Sequence, residues 1–380
     1  IVPTPLDPRL IEYVAPAVAK AAMDSGVATK PITDWEDYKA KLRLRMGLDH
    51  SILRSMYNKA KHDPKRVVYA DAMDVNVLQA AVQAKDQGIA IPILLGVEKA
   101  VLDLAEKANI DLTGIKIIDN TLIENEAKRA EFGAILYQKR QRKGLSLRAA
   151  KRLMFDKNYY GVTMVETGEC DAMISGSNTV YADAIRPALQ IINRREEFGK
   201  IAGMYIMNTK KGPYFFADST VNMNPTADDL VDIALLTEGW VKSFGIDPVM
   251  AMLSYSNFGS ADNNDVNKVV KAVAKLHKDR PDLMVDGEMQ ANFALNTELR
   301  TERYPFSKLG NRAVNTLIFP NLDSGNIAYK MMQEIGHAEA IGPIVMGLKK
   351  PIHVLQLSSS VREILDMTAI AVVDAQNSQL

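Results

Sequence analysis

Two kinds of hydrophobic pattern alternate along this chain. Short, nearly unbroken apolar runs at 66–70, 90–95 and 115–118 have the length of buried strands. Between them, 75–87 and 97–108 carry apolar positions at helical spacing. The alternation continues with a strand at 171–174, a helix at 181–192 through Ala182, Ile185, Leu189 and Ile192, and strands at 201–207 and 214–217. A long helix at 226–244, strands at 249–253 and 315–319 and a helix at 326–335 follow, while 286–290 reads as a polar turn. Strands alternating with helices predict an α/β fold with a largely parallel sheet covered on both faces. Ahead of this rhythm, Asp7 and Pro8 read as the start of a helix with Leu10, Val14, Val18 and Ala21 on one face. Pro16 is expected to kink that helix and Gly26 to end it. A charged connecting helix is expected over 34–46, capped by Asp34, and another helix over 51–61.

Three stretches carry candidate chemistry. After the 171–174 strand, Ser175, Gly176, Ser177, Asn178 and Thr179 form a hydroxyl-rich glycine turn that leads into a helix. That geometry aims backbone N–H groups and a helix N-terminus at an anion. Arg186, on the second turn of the helix, is placed to pair with a phosphate. Most strand–turn–helix units bind nothing, however, so the turn alone does not make a site. The loop carrying Ser256, Gly259 and Ser260 follows a predicted strand, at the end where open α/β sheets bind ligands. Residues 139–152 hold seven basic residues and no acidic one, either a solvated helix end or part of an anion site. Asp286 and Glu288 could mimic a metal pair, but no histidine lies near them in sequence, and no metal is expected.

Composition narrows the classes. A chain of 380 residues suggests about two domains with sizeable cores. Hydrophobic content of 47% and charged content of 24% are ordinary for a globular protein. Lys+Arg and Asp+Glu balance at 46 each, so no overall field favours nucleic acid or a membrane surface. The basic run is short and lacks interleaved aromatics, a poor nucleic-acid motif. Cys170 is the sole cysteine, which excludes an internal disulfide and suits a reducing cytoplasm. No apolar run spans a bilayer, no signal-peptide pattern opens the chain, and neither repeats nor low-complexity linkers interrupt it. A start at Ile1 suggests part of a longer protein.

The order and spacing of four blocks resemble the phosphotransacetylases, the phosphate acetyl- and butyryltransferases. They are Gly168, Glu169, Asp171, Ser175 and Gly176 followed by Arg186, Pro187 and Gln190; Phe216 to Asp218 with Asn224 to Thr226; Met252 to Ser256 with Gly259 and Ser260; and Phe319 to Gly325 with Asn326, Tyr329 and Lys330. The resemblance covers roughly residues 65 to 375. It implies an α/β fold of two three-layer α/β/α lobes flanking a cleft, of the phosphotransacetylase and isocitrate-dehydrogenase kind. Lobe I would comprise 46–195 plus 346–380, and lobe II 196–345. It also implies association through the second lobe, hence a homo-oligomer. The family places an arginine before a Lys-Gly pair, matched by Arg140 ahead of Lys143 and Gly144. Arg140 and Arg186 are then expected to share one cleft and hold the phosphates of a coenzyme A thioester. Ser175, Gly176, Thr179, Ser256, Gly259, Ser260 and Asn326 complete the expected acetyl-CoA and phosphate site.

Residues 1–28 resemble the end of the catalytic domain of bacterial malic enzymes, in Ile1 to Leu10 and in Val14 to Ala28. Hybrid NADP-dependent malic enzymes place a phosphotransacetylase-like domain directly after that one. The resemblance implies that 1–45 is the tail of a malic domain plus linker, and that NADP and a divalent metal belong to the missing upstream domain. Acetyl-CoA would then act here as an effector that inhibits the malic domain, and this part of the chain would need no cofactor of its own. Active phosphotransacetylases carry a serine–arginine pair in a signature block met here by Gly347 to Ser358. Gln356 and Leu357 stand in those two places and Val354 replaces an aspartate, while Gly347, Pro351, Val361, Glu363 and Ile364 persist. Leucine cannot stabilise charge on a transferring group. The expectation is therefore a regulatory domain without catalytic residues. The rivals are an active phosphate acetyltransferase with altered residues and a scaffold that only oligomerises.

Overall fold

The computed structural model describes residues 9–35, 38–39, 42 and 51–378. The cap predicted at Asp7 and Pro8 and most of the connecting helix predicted over 34–46 lie outside the described residues. Helix α1 (Arg9–Asp24) runs as one element through Pro16, and Gly26 adopts a left-handed conformation beyond its end. Helix α2 (Ser51–His62) matches the predicted second helix.

The first sheet contains β1 (Lys65–Tyr69), β2 (Ala90–Leu95), β3 (Lys116–Ile118), β4 (Ala172–Ser175) and β11 (Ile352–Val354), in the order β11-β4-β1-β2-β3. Every pairing in it is parallel. Helices α3 (Val75–Asp86) and α4 (Glu98–Lys107) connect its early strands. Between β3 and β4 run α5 (Glu126–Arg140), α6 (Leu147–Leu153) and α7 (Lys157–Thr167), and α8 (Tyr181–Ile191) follows β4. Strand residues alternate between two cores, as the two-residue period of a strand requires. Val67 and Tyr69 pack with α3 and the last helix, α14 (Val361–Asn377), whereas Val68 packs with Phe132, Tyr160 and Ile185 of α5, α7 and α8. This makes three layers.

The second sheet is ordered β10-β5-β6-β9-β7-β8. Its strands are β5 (Ala202–Thr209), β6 (Gly212–Ala217), β7 (Met250–Leu253), β8 (Val285–Met289), β9 (Thr316–Ile318) and β10 (Glu339–Met346). β10, β5 and β6 pair antiparallel; β6, β9, β7 and β8 pair parallel. The sheet carries α9 (Ala227–Ser243) and α10 (Asn264–Asp279) on one face. The other face packs against Ala294 of the short α11 (Ala291–Leu295) and Tyr329 of α13 (Leu322–Glu334), with α12 (Thr297–Arg303) between those two helices in the chain.

Two expectations change. The polar turn at 286–290 is strand β8, because Val285 and Met289 are buried around the polar residues. The helix predicted at 326–335 begins four residues earlier, where Asn321 caps the Ser324 N–H. The two lobes also share one of their cores, while each keeps a second cluster that is mainly its own. One continuous apolar cluster contains Val67 and Ile174 of the first sheet, Met204 and Met252 of the second, and Ile370 of α14. The chain crosses between sheets at two adjacent segments: the Arg195 N–H donates to the Gly347 carbonyl at 2.8 Å, and the Lys349 N–H to the Asn193 carbonyl at 3.1 Å.

Candidate functional site

The turn after β4 is folded around a buried carboxylate. Asp71 leaves the C-terminal end of β1 with 2% of its surface exposed. It accepts from the Gly176 N–H at 2.6 Å and the Ser177 N–H at 3.0 Å, and it pairs with the Lys157 ammonium. Lys157 also donates to Asn178 Oδ1 at 3.0 Å, and the Ser177 hydroxyl bonds to Asp74, the N-cap of α3. Ser175 Oγ donates to Asn158 Oδ1 at 2.5 Å, and Thr179 Oγ1 to Asn178 Oδ1 at 3.4 Å. The N–H groups of Gly176 and Ser177, expected to face a bound anion, instead hold the protein's own anion. Gly176 is required here: its φ is +107°, and a Cβ would meet the Leu355 carbonyl oxygen at 2.9 Å.

Arg186 projects from α8 with over half of its side chain exposed and pairs with Asp183 at 2.9 Å, so it is a surface cation rather than a buried one. Arg140 ends α5, half-buried. The Tyr159 hydroxyl of α7 donates to Gln190 Oε1 of α8 at 2.9 Å. Burial is the largest influence on Tyr159 and raises its pKa; the charges of Arg186 and Arg140 oppose it. The basic run itself forms the end of α5, a turn closed by Gly144 at φ +85°, and the start of α6.

The loop after β7 repeats the arrangement at the β4 turn. Glu288 of β8, 2% exposed, accepts from Ser256 Oγ at 2.9 Å and from the Gly259 N–H at 2.7 Å. Ser260 Oγ lies 3.1 Å from Ser256 Oγ and accepts from the Asn257 N–H at 2.9 Å. Asp286 accepts from Ser307 Oγ and the Lys308 N–H, both at 2.7 Å. A fourth buried carboxylate, Asp218 after β6, accepts from the N–H groups of Gly203, Thr220, Val221 and Asn222 at 2.9 to 3.1 Å. Asn326 donates to the neighbouring Ser219 carbonyl at 3.3 Å. Three sheet-end loops are therefore organised by Asp71, Asp218 and Glu288. In the sequence, Asp218 and Glu288 stood only as members of a motif and of a turn, and Asp71 was not singled out. For Asp71 and Asp218 the available signal was a carboxylate just after a buried strand; Glu288 lies within β8 and had no such signal.

Gln356 and Leu357 lie in the loop between β11 and α14. The Gln356 amide bonds to the Tyr205 hydroxyl of β5, so a side chain from the first sheet's loop reaches the second sheet. Tyr205 stacks on Tyr329, ring centroids 4.1 Å apart, and burial drives its pKa far up. Leu357 is 62% exposed. The Ser358 N–H donates to the Ser177 carbonyl at 2.9 Å, joining this loop to the β4 turn. Cys170 is buried, which raises its thiol pKa to about 12 and leaves it a poor nucleophile. No group of three or more metal-ligating side chains occurs among the described residues, and none of their helices is long and apolar enough to cross a membrane.

Residues 51–372 match the family described as phosphate acetyl/butaryl transferase. The chain is 37% identical to an NADP-dependent malic enzyme of Salmonella typhimurium, an alignment covering all of this chain and 50% of that protein. It is also 37% identical to a phosphate acetyltransferase of Acetivibrio thermocellus, covering 86% of this chain and 98% of the relative. The chain thus spans about half the length of the malic enzymes it matches and nearly all of the transferase. A phosphotransacetylase structure from Streptococcus pyogenes superposes with a TM-score of 0.79 at 35% identity, covering 87% of this chain and 99% of that one.

Proposed function

Because the chain belongs to the phosphate acetyl/butaryl transferase family, we propose that it is a non-catalytic member that binds acetyl-CoA and regulates a malic enzyme domain on the same polypeptide. In this reading the parent converts malate to pyruvate, carbon dioxide and NADPH, using NADP and a divalent metal in its N-terminal malic domain. Acetyl-CoA acts as allosteric inhibitor, and this part of the chain assembles the parent into a dimer or a larger closed oligomer. The observation that carries the reading is the fate of the two signature positions. The Gln356 amide is engaged by Tyr205 across the lobes, and Leu357 offers no donor to a phosphate. Arg140 and Arg186, whose charges both bear on Tyr159, would supply charge for the phosphates of coenzyme A. The partly exposed arginines fit this role better than a purely structural one, since an exposed pair such as Arg186 with Asp183 contributes little to folding.

Regulation requires that acetyl-CoA favour one of two arrangements that the malic domain senses. The cleft between the lobes, with Gln356 bridging it, is the element through which binding would act.

A second reading is an active phosphate acetyltransferase, forming acetyl phosphate and coenzyme A from acetyl-CoA and phosphate. The near-complete coverage of the Acetivibrio thermocellus enzyme favours it. Assaying acetyl phosphate formation at high protein concentration separates the two. The regulatory reading expects no turnover approaching about one per second, the ordinary scale of enzymes, and turnover at that rate overturns it.

A further inference from the structure

A feature that the proposed function does not use lies away from the sheet-end loops, where the two lobes join. A cavity of about 200 Å³ opens between the crossover segments, α9 and the end of α14. Its charged walls are Arg195 and Asp374, Ser243 and Asn377 are its other polar residues, and its apolar walls include Phe198, Leu235 and Trp240. Each charged group is half engaged. Arg195 uses Nε on the Leu348 carbonyl at 3.3 Å, and among the described residues its two terminal nitrogens make no hydrogen bond. Asp374 receives a bond on Oδ2 from His353 Nε2 at 3.2 Å, leaving Oδ1 without a partner among the described residues. The donor is defined, because the fully buried His353 accepts the Val345 N–H on Nδ1 at 3.4 Å and so carries its proton on Nε2.

One cationic and one anionic group with open valences, plus an aromatic wall, is the recognition set for a zwitterion. We propose that this junction cavity binds a free α-amino acid with an apolar side chain. Its carboxylate would pair with Arg195, its ammonium with Asp374 Oδ1, and its side chain would lie against Trp240 and Leu235. A simple carboxylate would leave Asp374 unanswered and bring a second negative charge beside it. A simple amine would do the same to Arg195. The volume suits a molecule of this size. Arg195 sits on a crossover segment, Asp374 on α14 and Trp240 on α9, so one bound molecule ties together the three elements on which the lobes meet. The site is separate from the acetyl-CoA reading and stands or falls without it.

Trp240 is a built-in reporter, because the chain has two tryptophans and Trp35 is the other. Emission from a Trp35→Phe chain is recorded during titration with each of the genetically encoded α-amino acids at millimolar concentration. The expected result is a saturable change with at least one apolar amino acid, absent with its deaminated and decarboxylated analogues. Arg195→Gln or Asp374→Asn is expected to weaken that response about ten- to a hundredfold, the range for a lost charge-assisted contact. Arg195→Gln alters only a half-buried side chain, so it keeps the test valid if Asp374→Asn does not fold. Absence of any saturable change or melting shift with every amino acid overturns the proposal. So does a response unaltered by Arg195→Gln.

Discussion

Replacing Asp71 with alanine removes the carboxylate around which the β4 turn is folded. Two backbone N–H groups, at 2.6 and 3.0 Å, lose a charged acceptor, and Lys157 loses its ion-pair partner. A hydrogen bond to a charged group contributes about 1.5 to 3 kcal/mol. The lysine is one-third exposed, so its pair is discounted for solvent screening. The expected loss of stability is about 3 to 5 kcal/mol, within the range for breaking a buried charged contact. Urea unfolding should show a lower midpoint with an unchanged slope. The vacated space then presents two N–H groups and an ammonium, which is an anion site. Phosphate at about ten times its dissociation constant should restore about 1.4 kcal/mol to the variant and far less to the parent chain. A loss below about 1 kcal/mol, or equal stabilisation of both proteins by phosphate, would refute the view that Asp71 occupies an anion cradle.

Asp366 offers a pH test. It is buried on α14, burial raises its pKa to about 6, and the Tyr57 hydroxyl donates to it at 2.6 Å. A carboxyl with a folded pKa above its unfolded value binds its proton more readily when folded. Stability should therefore fall as pH rises from about 4 to about 6, by at most about 3 kcal/mol. Asp366→Asn should stabilise the chain at about pH 8 and lose that advantage near pH 4, as read by melting temperature; destabilisation at the higher pH counts against it. Arg186→Ala should leave melting within about 0.5 kcal/mol of the parent, since its ion pair with Asp183 is exposed, while weakening acetyl-CoA about ten- to a hundredfold. A large melting loss with unchanged affinity would make Arg186 structural. Light scattering should give a dimer or larger, and a clean 42.0 kDa monomer at micromolar concentration refutes that expectation.

The strand and helix rhythm from residue 65 onward was legible because buried parallel strands leave continuous apolar runs, such as 90–95, that few helices share. β8 was missed because Asp286, Gly287 and Glu288 interrupt its apolar ends; their polarity serves the loops that the strand supports, not a turn. That Arg140 and Arg186 belong to one cleft is what the family resemblance implies. Local patterning could not supply it, since the residues lie on different helices. The role of Asp71 was illegible for a related reason. Its partners Gly176 and Ser177 are about a hundred residues away, and a glycine turn aimed at a ligand reads like one aimed at the protein's own carboxylate. The bond from Gln356 to Tyr205 was hidden likewise, because only the folded chain shows what a substituted residue has acquired.

The central claim is that this chain binds acetyl-CoA through Arg140 and Arg186. Calorimetric titration of acetyl-CoA into the chain, alongside Arg186→Ala and Arg140→Ala, tests it most directly. Saturable binding to the parent chain is expected, with a dissociation constant about ten- to a hundredfold weaker in each variant. No heat of binding to a folded parent chain, or equal affinity in all three proteins, would contradict it.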